Sequence, residues 1–107
     1  MLDTAETGIE ELQRHAADAS RLLRMMSNER RLLVLCLLAI NNEMSVGAIA
    51  DKVGLSQSAL SQHLALLRED GLVATRREGT VIHYRLADER AAKVLRLLHD
   101  LYCPELA

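Results

Sequence analysis

A chain of 107 residues, of which 50% are hydrophobic, supports one compact domain with its own core. The formal net charge of -2, taken alone, argues against nucleic acid, and the scarcity of aromatics (2%, no Phe and no Trp) argues against stacking of single-stranded bases. No apolar run approaches bilayer length, the start MLDTAETGIEELQ is acidic rather than signal-like, and two cysteines, Cys36 and Cys103, are too few for a disulfide-stapled scaffold, so a reducing cytoplasm without a membrane partner is expected.

Residues 9–26 form the first predicted helix. Ile9, Leu12, Ala16, Ala19, Leu23 and Met26 recur at spacings of three and four, a narrow apolar seam that either pairs helices or packs this one on its own domain. Residues 1–8 are expected to be a flexible tail. Ser27-Asn28 breaks the pattern, and Asn28 can cap the next helix. That helix, ERRLLVLCLLAI, is apolar nearly all round after Arg31 and is expected at the buried centre. Asn41-Asn42-Glu43 reads as a loop. Ser45 caps a short helix over 46–53, whose Val46, Ile49, Ala50 and Val53 face inward. Gly54 suits the left-handed residue that ends it. Ser56 caps a further helix over 57–70, with Leu60, Leu64 and Leu67 as its inward stripe.

The period then changes. Val73, Thr75 and Arg77 alternate with Ala74 and Arg76, and Ile82, Tyr84 and Leu86 alternate with His83 and Arg85. With Glu78-Gly79 between them, this is a β-hairpin signal. A last helix starts after Asp88, carries Ala91, Val94, Leu95, Leu98, Leu101 and Tyr102 on one side, and stops at Pro104. The fold class is mainly α with a two-stranded β-hairpin: a helix-turn-helix over about 45–70 followed by a wing over about 72–86. The whole chain, 1–107, reads as one domain.

Charge is distributed unevenly. Residues 1–20 carry Asp3, Glu6, Glu10, Glu11 and Asp18 against Arg14, whereas residues 52–85 carry Lys52, Arg68, Arg76, Arg77 and Arg85 against Glu69, Asp70 and Glu78. A modest basic face on a near-neutral body fits specific binding of double-stranded DNA better than a nonspecific grip, the alternative being ordinary solvated charge.

The helix over 57–70 has the composition of a groove reader. Gln57, Ser58, Ser61 and Gln62 lie off the leucine stripe, and residues 57–66 contain no Glu, Lys or Arg, unlike an ordinary solvated face. Short polar side chains let the backbone approach base edges; Gln pairs with adenine, while Ser and His63 can bond to bases or phosphates. Ser56 and the adjoining helix N-terminus can hold a phosphate. Arg76, Arg77 and Thr80, at or near the wing tip, are expected at phosphates or the minor groove. His83 is expected to face solvent or backbone. The competing reading is a plain polar solvent face. No Ser/His/Asp set, phosphate loop or paired carboxylate array is present, so no enzyme is expected.

Three stretches, MSNERRLLVLCLL, EMSVGAIADKVGLSQSALSQHLALLREDGLV and TRREGTVIHYRL, together resemble the ArsR family of winged-helix bacterial repressors over roughly residues 15–103. The resemblance implies a winged domain over about 9–103 and a homodimer joined by its first and last helices. It also implies operator binding that blocks transcription until an inducer arrives. Many relatives sense metals. One metal-site type places a key Cys where Ser45 stands here, and no Cys-x-Cys occurs; another needs Asp and His along the last helix, where Asp88 and His99 are accompanied by Arg90 and Tyr102. About four N, S or O ligands are needed for a tetrahedral site, so no metal and no cofactor is expected. Cys36 with Cys103, in LYCP, resembles the dithiol branch that senses reactive sulfur or oxidants. Such relatives form an intramolecular disulfide or a polysulfide bridge and release DNA. The alternatives are two structural cysteines, and a metal-responsive or inducer-free repressor.

Overall fold

The structure, a computed structural model, describes residues 4–103. Its elements run α1 (Thr4–Met26), α2 (Glu29–Asn41), β1 (Glu43–Ser45), α3 (Val46–Val53), α4 (Gln57–Glu69), β2 (Val73–Glu78), β3 (Val81–Leu86) and α5 (Glu89–Tyr102). The winged helix-turn-helix expected from the sequence is present, with one more strand than predicted.

Local capping chemistry sets most boundaries. Asn28 accepts the Arg31 amide at 3.0 Å to start α2, and Arg31 Nε donates to the Met25 carbonyl at 2.8 Å, fixing the α1–α2 corner. Ser45 Oγ accepts the Ala48 amide at 3.2 Å and Ser56 Oγ the Ala59 amide at 3.1 Å, so both helices of the helix-turn-helix start on a serine. Between them Gly54 adopts φ 70°, a left-handed value that costs glycine little. Asp88 accepts the Arg90 and Ala91 amides at 2.8 and 3.1 Å to open α5. Burial pushes the Asp88 carboxyl up, but the Ala91 and Arg90 amides and the Arg90 guanidinium outweigh it and hold it below its ordinary value.

Two boundaries differ from expectation. α1 begins at Thr4 rather than Ile9, so residues 4–8 of the expected tail are helical; residues 1–3 lie outside the described residues. The seam marked only where apolar residues recur, and Thr4, Ala5, Glu6, Thr7 and Gly8 carry no such repeat. Glu43, expected in a loop, opens β1. This strand pairs antiparallel with β3 in the register Glu43↔Arg85, Met44↔Tyr84, Ser45↔His83. Asn42, at φ 62°, turns the chain from α2 into it. Three residues are too few for an alternation to show; only pairing with a distant strand makes them a strand. The sheet order is β1-β3-β2.

The core gathers Val34, Leu35 and Leu38 of α2, Ile49 of α3, Leu60, Leu64 and Leu67 of α4 and Leu95 of α5, each below 2% exposed apart from Leu95 at 2%. The leucine stripe of α4 is thus buried as predicted, which turns the opposite side of that helix outward. α2 is central, but not buried all round. Leu33, Cys36 and Ile40 lie on one face of it; Leu33 and Ile40 are 41% and 64% exposed, and Cys36 is half-buried. Among the described residues no helix is long and apolar enough to cross a membrane.

Candidate nucleic-acid interface and thiol groove

The outward side of α4 carries the predicted polar row. Ser56, Gln57, Ser58, Ser61 and Gln62 are exposed, with Ala65 beside them, while Leu60 and Leu64 anchor the helix from beneath. The Ser56 hydroxyl is occupied by the Ala59 amide and the Ser56 carbonyl by the Leu60 amide at 2.9 Å, which leaves the Gln57 and Ser58 amides directed out of the helix N-terminus. A helix of 13 residues is about 20 Å long, and with its short outward side chains it fits a B-DNA major groove. His63 sits at the edge of this row rather than within it: it is half-buried, and its Nδ1 is enclosed with no partner among the described residues.

The wing is less uniform than its sequence. Arg76 grips Glu43, with Nη2–Oε1 at 2.7 Å and Nε–Oε2 at 3.2 Å, and its Nη1 lies 3.9 Å from Glu78. The Arg76 hydrogen bonds draw the Glu43 carboxyl below its ordinary value, and Glu43 draws the guanidinium above its own. Arg76 was expected at a DNA phosphate; here its charge is already matched across the sheet. The His83 Nε2 lies 3.2 Å from the Glu78 carboxylate at the surface. Arg77 and Thr80 remain exposed near the hairpin turn, and Arg77 has no ion-pair partner among the described residues. Arg85, counted with this basic region in the sequence, instead lines a groove around α2 and α5. By register Arg76, His83 and Arg85 share one face of the sheet with Glu43, while Arg77, opposite Ile82, falls on the other, so the positive excess of residues 52–85 is divided.

That groove has a volume of about 990 Å³ and contains both cysteines. Cys36 comes from the open face of α2 and Cys103 caps the end of α5, its amide donating to the His99 carbonyl at 2.7 Å. Both thiols are free; Cys36 is half-buried and Cys103 exposed. Burial, and then the neighbouring Cys103, push the Cys36 thiol above its ordinary value. The rest of the lining is mainly aliphatic, with Leu32, Leu33, Ile40, Leu95 and Leu98. Among the described residues two apolar faces lack partners. On α1, Ile9, Leu12 and Leu23 are 56%, 66% and 55% exposed, and on α5, Leu97, Leu101 and Tyr102 are 57%, 64% and 80% exposed. From the α1 seam only Met26 reaches the core. Among the described residues no three His, Cys, Asp or Glu side chains come together as a metal site.

Two features of this region have no local signal in the sequence. One is the Glu43 lock on Arg76, which requires β1. The other is the company of the thiols, Arg85 and Arg96, which come from β3 and α5 and meet only in the fold.

A helix-turn-helix whose second helix carries no Glu, Lys or Arg over residues 57–66, followed directly by a wing, defines a DNA-binding transcriptional regulator of the winged-helix class. The chain belongs to the ArsR family of bacterial regulatory proteins, whose model matches residues 28–75. It is 48% identical over 102 residues to the transcriptional activator HlyU of Vibrio cholerae, covering 95% of this chain and 94% of that protein. The structure of reduced HlyU from Vibrio cholerae superposes with a TM-score of 0.84 at 50% identity, covering 88% of this chain and 98% of that one. The transcriptional repressor BigR from Xylella fastidiosa superposes at 0.81 with 37% identity, covering 88% and 95%. A winged helix-turn-helix domain of Mycobacterium bovis, Mb0332, described as homodimeric, gives 0.73 at 35% identity over 89% and 88%. These relatives are regulators rather than enzymes, and so is this chain.

Proposed function

We propose that the chain is a cytoplasmic, homodimeric repressor that binds a palindromic operator when reduced and leaves it when Cys36 and Cys103 are joined by a disulfide or polysulfide. The observation that carries the reading is that a cysteine from α2 and one from the end of α5 line a single groove. The unpartnered apolar faces of α1 and α5 favour a dimer built on those helices, in keeping with the homodimeric Mb0332. Two α4 helices about one DNA turn apart, near ~34 Å, then read two half-sites through Gln57, Ser58, Ser61 and Gln62. Ser56 and the α4 N-terminus hold a phosphate, His63 supports the edge of the reading face, and Arg77 and Thr80 touch the backbone beside the wing. Arg76 contributes mainly by fixing β1 to the hairpin.

A sulfur link between α2 and α5 acts on DNA through the dimer. α5 supplies part of the proposed interface, so tying its end to α2 changes the angle at which the two α4 helices are presented. The link must favour the non-binding arrangement, since stabilising both arrangements equally would shift nothing. Each tenfold loss of operator affinity corresponds to about 1.4 kcal/mol of that preference.

Fluorescence anisotropy with a fragment of the protein's own promoter region tests this. Reduced wild type, Cys36→Ser and Cys103→Ser are expected to bind alike. After treatment with an organic persulfide only the wild type is expected to release, with a matching mass change on both cysteines. Release of either serine variant as readily as wild type removes the proposed switch.

A further inference from the structure

The groove that holds the thiols is also cationic. Arg85 of β3 and Arg96 of α5 line it, with His99 also in the lining, and among the described residues no Asp or Glu does. Arg96 and His99, three residues apart, share a face of α5, and Cys103 caps its C-terminal end. Arg96 has no ion-pair partner among the described residues. Arg85 stands opposite Glu43 in the sheet, but that carboxylate is already gripped by Arg76 at 2.7 Å. Two exposed guanidinium groups thus stand over an aliphatic groove in a chain whose formal net charge is -2. The long-range field of such a chain repels anions, so attraction of an anion here has to be local. Guanidinium is the side chain best suited to a carboxylate, through paired N–H donors.

We propose that Arg85 and Arg96 make this groove selective for carboxylate-bearing organic sulfur reagents, holding the anionic end while the apolar walls take the carbon body and the sulfur meets the thiols. The inference rests on the thiol pair being the reactive site, and it adds which class of reagent reaches it. With an organic disulfide, one cysteine thiolate attacks a sulfur of R–S–S–R, forming a Cys–S–S–R bond and releasing R–S⁻. The second cysteine gives up its proton, and its thiolate displaces the remaining R–S⁻ to close a Cys36–Cys103 disulfide. The two thiols lose two electrons and two protons, and the reagent gains them as two R–SH. The guanidinium groups take no part in bond making; they position the reagent.

The test compares two aliphatic disulfides of similar size and opposite charge, dithiodipropionate and cystamine, on the full chain at low salt. Rates of adduct and bridge formation are read by intact mass and by peptides containing Cys36 and Cys103. For wild type the dicarboxylate is expected to react faster by on the order of tenfold, with the ratio falling as salt is added. Arg85→Gln combined with Arg96→Gln is expected to bring the ratio to one or below. Both positions are exposed, and the cystamine rate of that variant checks that the thiols stay accessible. Equal rates in wild type, a preference for cystamine, or a ratio unchanged in the double variant overturns the inference. So does a wild type inert to both reagents, which would mean a second copy covers the groove. Adducts that keep the charge preference but never close into a bridge uphold the selectivity and sink the switch. A bridge formed without preference does the reverse.

Discussion

Leu64→Ala separates the support of α4 from its outward surface. Leu64 is 1% exposed on α4 and lies in the core cluster with Leu35 of α2 and Ile49 and Val53 of α3, while its exposed neighbours Ser61, Gln62 and Ala65 face away. Alanine is at least as good a helix former as leucine, so the loss is almost wholly packing. Removing a fully buried leucine side chain costs about 2–5 kcal/mol, made up of lost transfer energy and the cavity left behind. A domain of this size holds roughly 5–15 kcal/mol in all, so about 3 kcal/mol is a large fraction. At about 4–8 °C per kcal/mol, the expected fall in Tm is roughly 12–24 °C. Leu66→Ala is the matched control: same helix and same chemistry, but 43% exposed, with an expected cost below ~1 kcal/mol. Urea unfolding followed by far-UV circular dichroism, at one fixed protomer concentration because a dimer makes stability concentration-dependent, measures both. Equal costs for the two variants would refute the assignment of inner and outer faces on α4, and the groove-reading argument with it.

Arg77→Ala should weaken binding to operator and unrelated duplexes alike and lower the slope of log K against log[salt] by about 0.9 per protomer. Arg76→Ala should change that slope less, because Glu43 already matches its charge; anisotropy across a salt series distinguishes them. Asp88→Ala removes the α5 cap and should cost about 1 kcal/mol in chemical unfolding. The Asp88 carboxyl is held below its ordinary value in the folded protein, so its contribution is complete above the usual carboxylate range and is lost as pH falls through the folded value. Unfolding midpoints of wild type and variant should therefore converge on acidification; a constant gap down to strongly acid pH would show that the carboxylate is not the cap.

The parts of this protein that were legible in one dimension are those decided by near neighbours. Asn28, Ser45, Ser56 and Asp88 each cap the helix that follows because a side-chain oxygen reaches an amide two or three residues on. The stripe of Leu60, Leu64 and Leu67 was readable because helical spacing repeats every turn, and its burial fixed which residues of α4 face outward. The break in period after Gly71 was enough to announce the hairpin. In each case the interacting groups lie within one helical turn or one pair of strands, so local order in the sequence is also order in space.

The remainder depended on residues that meet only after folding. β1 exists because Glu43, Met44 and Ser45 lie beside Arg85, Tyr84 and His83, some forty residues away in the chain. That one pairing decides that Arg76 is spent on Glu43 and leaves Arg77 as the unpaired arginine near the hairpin turn. Arg21 and Asp70, 3.0 Å apart, likewise tie α1 to the end of α4 from opposite parts of the chain. The apolar α2, whose composition promised complete burial, keeps Leu33, Cys36 and Ile40 open because α5 crosses it without covering that face. Composition and period told which side chains avoid water and where each helix begins. The groove that gathers Cys36, Cys103, Arg85 and Arg96 was set by the packing of α2, β3 and α5, since proximity between distant segments is fixed by how a core fills space and leaves no local repeat to read.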